Sequence, residues 1–70
     1  MLFEEMAARA GFDTRRYLWK VSEVAVVLGI PARTLYNEIT AGRLESVHLS
    51  PHIRPKYVTA EAVNKWIREE

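Results

Sequence analysis

The chain has 70 residues, 49% of them hydrophobic and 27% charged, with no cysteine and a net charge of +1 at pH 7. This length leaves room for one small core and none for a second, and the composition excludes disorder over the whole chain. Disulfides and thiolate metal sites are excluded, and no apolar run approaches membrane-spanning length.

Leu2, Phe3, Met6, Ala7 and Ala10 recur at helical spacing before Gly11, which predicts an amphipathic helix over residues 2–10. A helix this short does not stand alone, so its apolar face must lie either on its own domain or on a second copy of the chain. Glu4 and Glu5 stand where a secretory leader would carry bases, and the expected location is the cytoplasm. A connector then leads to an extended piece near Tyr17–Lys20.

Ser22 is an expected N-cap for a helix with Val24, Val27 and Leu28 on one face, closed by Gly29. Pro31 is placed to open the next helix, where its missing N–H costs nothing, and Leu35 and Ile39 turn inward before Gly42. Two short helices joined by a glycine turn form a helix-turn-helix over 22–42. Val47 and Leu49 alternate with Ser46 and His48 as in a half-buried strand, and Tyr57–Val58 suits a second strand. Pro51 and Pro55 forbid a helix between them, so 46–58 is read as a hairpin with a long tip. Thr59 caps a last helix over 59–69, with Val63, Trp66 and Ile67 as its apolar stripe. Helix, turn, helix, hairpin and helix make a mostly α fold with a small β-hairpin. That order describes a winged helix-turn-helix filling residues 1–70, with an extra N-terminal helix over 1–11.

Charge is uneven along this plan. Residues 14–20 carry Arg15, Arg16 and Lys20 without an acid, whereas Glu4, Glu5 and Asp13 precede them and Glu61, Glu69 and Glu70 lie near the end. A basic middle between acidic ends fits a nucleic-acid surface despite the small total.

The pieces Ser22-Glu23-Val24-Ala25, Leu28-Gly29-Ile30, Arg33-Thr34-Leu35-Tyr36, Gly42-Arg43-Leu44, Tyr57-Val58 and Trp66-Ile67 occur in one order over residues 17–67. In that order they resemble the small winged-helix domains of phage excisionases (recombination directionality factors) and the DNA-binding heads of MerR-type regulators. Three positions depart from the pattern: Pro31 replaces a capping serine, Glu45 a proline after the leucine, and Glu38 an apolar residue. Glu38 lies about 80° from the Leu35–Ile39 face at ~100° per residue. There it reaches water, and it repels phosphate unless an arginine pairs with it.

On the second helix, Arg33, Asn37 and Thr40 lie opposite Leu35 and Ile39, flanked by Thr34 and Tyr36. Arginine can fork onto guanine, asparagine can pair with adenine, and threonine or tyrosine can meet a thymine methyl or a phosphate. On an isolated helix the same residues would be ordinary solvated surface. Lys20, Ser22 and Arg43 are the candidates for positioning phosphates. Arg15 and Arg16 either join that patch or pair with Glu4 and Glu5. In the wing, Arg54 and Lys56, with His52 and Ser50, are the candidates for the DNA backbone or the minor groove.

A metal at His48 and His52 is disfavoured, because Pro51 removes the helix that would align them and no cysteine or nearby carboxylate completes a set. No cofactor and no enzymatic activity are expected of so small a domain. The resemblance implies an architectural protein that binds repeated sites on double-stranded DNA, with neighbouring copies associating cooperatively. Such a protein bends the DNA and steers a phage integrase toward excision, and its location would be the bacterial host cytoplasm. The chain is read as this domain without an effector region. Two other readings stay open: a small MerR-like transcriptional regulator or repressor, and a winged helix used only for protein contact.

Overall fold

The computed structural model describes residues 2–47 and 57–68. In chain order the elements are α1 (Phe3–Arg9), β1 (Leu18–Lys20), α2 (Val21–Leu28), α3 (Ala32–Thr40), β2 (Tyr57–Thr59) and α4 (Ala60–Arg68). They form a mostly helical winged helix-turn-helix with a small antiparallel sheet.

Phe3 and Ala7 stand one turn apart on α1 and are fully buried within the chain. The open choice for this helix therefore resolves to its own domain, where it packs on α2 and α4. Phe3 meets Trp19 edge-on, with ring centroids 4.9 Å apart at 84°, a favoured aromatic geometry. The start of α1 is tied down from afar: Phe3 N–H donates to Asn64 Oδ1 at 2.7 Å, and Asn64 Nδ2 donates to Glu4 Oε1 at 2.8 Å. Glu5 Oε1 accepts the Leu2 N–H at 3.0 Å, so helix-start donors that have no partner inside α1 are satisfied by side chains. At the other end the Phe12 N–H donates to the Ala7 carbonyl at 3.0 Å. The turn sets Phe12 against Trp19, at 5.9 Å between ring centroids.

The sheet gives the expected second strand a further partner. β2 pairs antiparallel with β1, in the register Leu18–Thr59, Trp19–Val58 and Lys20–Tyr57. Trp19 and Val58 face each other across this ladder and are both buried. The expected partnership of the Val47 and Tyr57 segments survives, among the described residues, as one bridge at the base of the wing. There Val47 N–H donates to the Tyr57 carbonyl at 2.7 Å, and the return bond is 3.4 Å. Period-2 alternation tells which side of a strand is buried but not which strand it joins, so β1 showed no partner in the sequence. Residues 48–56, and with them Leu49 and both prolines of the tip, lie outside the described residues.

The helix-turn-helix begins two residues earlier than expected, cap for cap. Lys20 is the N-cap of α2 and Ser22 is the second helical residue, exposed. Fully buried Val21 draws the strand straight into the helix. Glu23 Oε1 accepts the Lys20 N–H at 2.8 Å and closes the first turn. Val21, Val24 and Ala25 are buried, Val27 and Leu28 are half-buried, and Val26 faces out. Gly29 adopts φ 70°, a left-handed geometry that a side chain resists, and Ile30 N–H then donates to the Ala25 carbonyl at 3.2 Å. Pro31 serves as the N-cap of α3 rather than its first residue, with φ −63° and ψ 141°. Its carbonyl accepts the Thr34 N–H at 3.0 Å.

Leu35 is fully buried beneath α3 and Ile39 half-buried. Gly42, at φ 82°, reverses the chain so that the Arg43 and Leu44 N–H groups donate to the Glu38 carbonyl at 3.0 and 3.2 Å. Leu44 then drops into the core. Thr59 caps α4 as expected, its Oγ1 accepting the Ala62 N–H at 3.0 Å. The α4 stripe is shorter than expected: Val63 is buried and Trp66 half-buried, but Ile67 is exposed in the last turn.

Candidate nucleic-acid interface

With Leu35 and Ile39 turned inward at ~100° per residue, the opposite side of α3 carries Arg33, Asn37 and Thr40. All three are exposed, as is Thr34. Tyr36 is half-buried on the flank, packed against the core. Four of the five expected helix residues thus share an open surface, and the fifth leaves only part of its ring to solvent. Arg33 forms no ion pair among the described residues, so its guanidinium keeps its donors for an outside acceptor.

Lys20 and Ser22 are both exposed where α2 begins. Lys20 forms no ion pair among the described residues either. Beside them, Arg16 grips Glu23 with Nη1 and Nη2, the Nη1 bond being 2.9 Å. The same guanidinium donates from Nε to the Leu18 carbonyl at 3.3 Å and lies 4.4 Å over the Trp19 ring. Hydrogen bonding from Arg16 holds the Glu23 carboxyl below the usual range despite partial burial, helped by the Lys20 N–H. Arg15 closes on Asp13, with Nε to Oδ1 and Nη2 to Oδ2 both at 3.2 Å. Neither arginine takes Glu4 or Glu5, because nearer acids are within reach and Glu4 and Glu5 already hold Asn64 and the Leu2 N–H. Of the basic run 14–20, only Lys20 keeps an unpaired charge among the described residues.

Glu38 meets the condition its position imposed. Arg43 pairs with it, Nε to Oε1 at 2.9 Å and Nη2 to Oε2 at 2.6 Å. The Trp66 indole N–H of α4 adds a third bond, to Oε1 at 2.9 Å. Arg43 first and Trp66 second hold the Glu38 carboxyl down at about 2, and the same pairing raises the Arg43 pKa. Arg43 is 64% exposed and Glu38 20%, so the cation stands outermost. Lys65 reaches Glu45 at 3.7 Å, both side chains being exposed.

The wing candidates Ser50, His52, Arg54 and Lys56, and His48 with them, lie outside the described residues. Among the described residues no group of three or more histidines, cysteines or acids could hold a metal ion. None of the described helices is long and apolar enough to cross a membrane. Asn64 and the indole N–H of Trp66 escaped the sequence reading. Both sit in α4, where periodicity reported an apolar stripe and gave no sign of what its polar atoms reach.

A family model described as a helix-turn-helix domain matches residues 20–70. The chain belongs to this helix-turn-helix family. No curated protein and no solved structure gives a significant match. A helix-turn-helix domain points to sequence-specific binding of double-stranded DNA, and the family is typically non-enzymatic.

Proposed function

We propose that the chain is an excisionase-like architectural protein that reads DNA with α3. In this reading Arg33, Thr34, Asn37 and Thr40 meet base edges in the major groove, with Tyr36 at the rim. Lys20, Ser22 and Arg43 hold phosphates, and Ser50, His52, Arg54 and Lys56 of the wing follow the backbone or enter the minor groove. Neighbouring copies occupy repeated sites cooperatively, bend the duplex and direct an integrase toward excision.

The observation that carries the reading is the outer face of α3, which gathers Arg33, Asn37 and Thr40 opposite buried Leu35, with exposed Thr34 on the flank. The ordered motif pieces over residues 17–67 support the excisionase role in particular. One domain of this size covers a short site, so cooperativity between copies is the physical route to specificity.

A bandshift titration on the DNA flanking the gene, followed by an excision assay with the neighbouring integrase, tests it. We expect several regularly spaced sites, filled cooperatively, and a rise in excision product. A single non-cooperative complex on unbent DNA with unchanged integrase products would remove the excisionase role and leave a repressor acting by occupancy. Absence of binding at low salt would remove DNA binding itself, since phosphate neutralisation is strongest there.

A further inference from the structure

The contact between α3 and α4 has a feature that simple packing does not need. Trp66 could bury its ring without spending its N–H on Glu38, and Glu38 could face water without an arginine. The glycine turn at Gly42 sets the Arg43 backbone on the Glu38 carbonyl, which brings the two side chains together five residues apart. The indole of Trp66, from α4, then fixes the carboxylate plane. Oε1 accepts two N–H groups and Oε2 one.

The bonds to Glu38 use the Nε–Nη2 edge of the guanidinium. A guanidinium has five N–H donors in a rigid fork, so the Nη1–Nη2 edge stays available for a second two-point contact. Arg43 follows the exposed residues Thr40, Ala41 and Gly42. It also borders a hollow of ≈ 200 Å³ shared with Glu45, Lys65 and Trp66. The free edge is thus presented to an anion by a side chain whose rotamer is already chosen, which removes an ordering cost from association.

We propose that Glu38 and Trp66 are positioning residues that preset Arg43 as a phosphodiester clamp at the C-terminal end of α3. The proposal rests on the reading of α3 as the DNA-facing helix. It assigns to an acid, which by charge alone should weaken DNA binding, the opposite effect on affinity. Helix α4 takes part in binding through one indole N–H.

A mutant cycle measured by fluorescence anisotropy on one duplex, across a salt series, tests this. Arg43→Ala should weaken binding and reduce the salt slope by about 0.9, the loss of one phosphate contact. Glu38→Gln and Trp66→Phe should each weaken binding about three- to tenfold, within the usual range for coupled neighbours. Neither should weaken it further once Arg43 is alanine. Thermal unfolding of every variant separates this from loss of fold, and Glu38→Asp, which keeps the charge, should recover part of the lost affinity. If Glu38→Gln strengthens binding equally with and without Arg43, Glu38 acts only by repulsion and the proposal falls. It also falls if Arg43→Ala leaves affinity and salt slope unchanged while the native chain binds. Failure of the native chain to bind duplex at low salt would overturn the DNA reading itself, and the clamp with it.

Discussion

Three arginines of this chain use one functional group in three ways. Arg16 is structural: it covers the Trp19 ring, bonds the Leu18 carbonyl and neutralises Glu23, so its planar fork holds the β1–α2 junction. Arg43 divides its fork between Glu38 and solvent. Arg33 is exposed and has no ion pair among the described residues, which suits a contact that forms only with a partner. In the DNA reading, Arg33→Ala should cost about 1–3 kcal/mol of discrimination at one base pair while random DNA is bound nearly as before. Lys20→Ala should weaken specific and random duplexes alike and flatten the salt slope by about 0.9. Competition titrations with the two kinds of DNA check both, and equal losses from both variants would overturn this division of roles.

At the scale of elements, α1 lies before the residues that the family model matches, yet it supplies fully buried Phe3 to the core. A seven-residue helix has too little cooperativity to persist unaided, so Phe3 and Asn64 must keep it in place. Phe3→Ala should cost about 3–5 kcal/mol by urea unfolding, the range for deleting a buried phenyl ring. At roughly 0.05–0.15 kcal/mol per residue this would consume much of the stability of a domain this size. Asn64→Ala should cost about 1–3 kcal/mol, since it strands the Phe3 N–H and releases Glu4. A loss near zero for Asn64→Ala would show that water replaces the clasp.

For the molecule as a whole, acid is the expected weakness. The Glu38 carboxyl is held at about 2 in the fold, against 4.5 for an unperturbed glutamate, with Arg43 and Trp66 bonded to it and Lys65 and Glu45 lining the hollow beside those two. Glu23 is lowered as well, by Arg16 and the Lys20 N–H. A carboxyl whose folded pKa lies below its unfolded value binds fewer protons in the native state. Its stabilisation is therefore whole above about 4.5 and is lost as pH falls toward 2. The thermal midpoint should hold on the neutral side and drop through this window. Glu38→Gln should shrink the drop, and an unchanged acid profile in that variant would show that the pair contributes nothing to the fold.

The sequence by itself determined the helices, the glycine turns, the Thr59 cap and the outer face of α3. These depend on spacing along the chain: Leu35 and Ile39 assign a side to every neighbour at 100° per residue, and Gly29 and Gly42 mark where the backbone must turn left-handed. Even the need of Glu38 for an arginine was legible from its place on the helix flank, whereas its match to Arg43 came with the tertiary structure. Tertiary structure decided the rest. It joined β1 to β2, gave α1 its seat, matched Arg15 and Arg16 to Asp13 and Glu23, and carried the Trp66 indole N–H to Glu38. Most of these contacts join residues far apart in the chain, and Arg15 and Arg16 had several acids within plausible reach. A strand's unpaired edge, an indole N–H and a guanidinium fork each accept many partners. Which one they meet depends on where the buried core brings the chain back on itself.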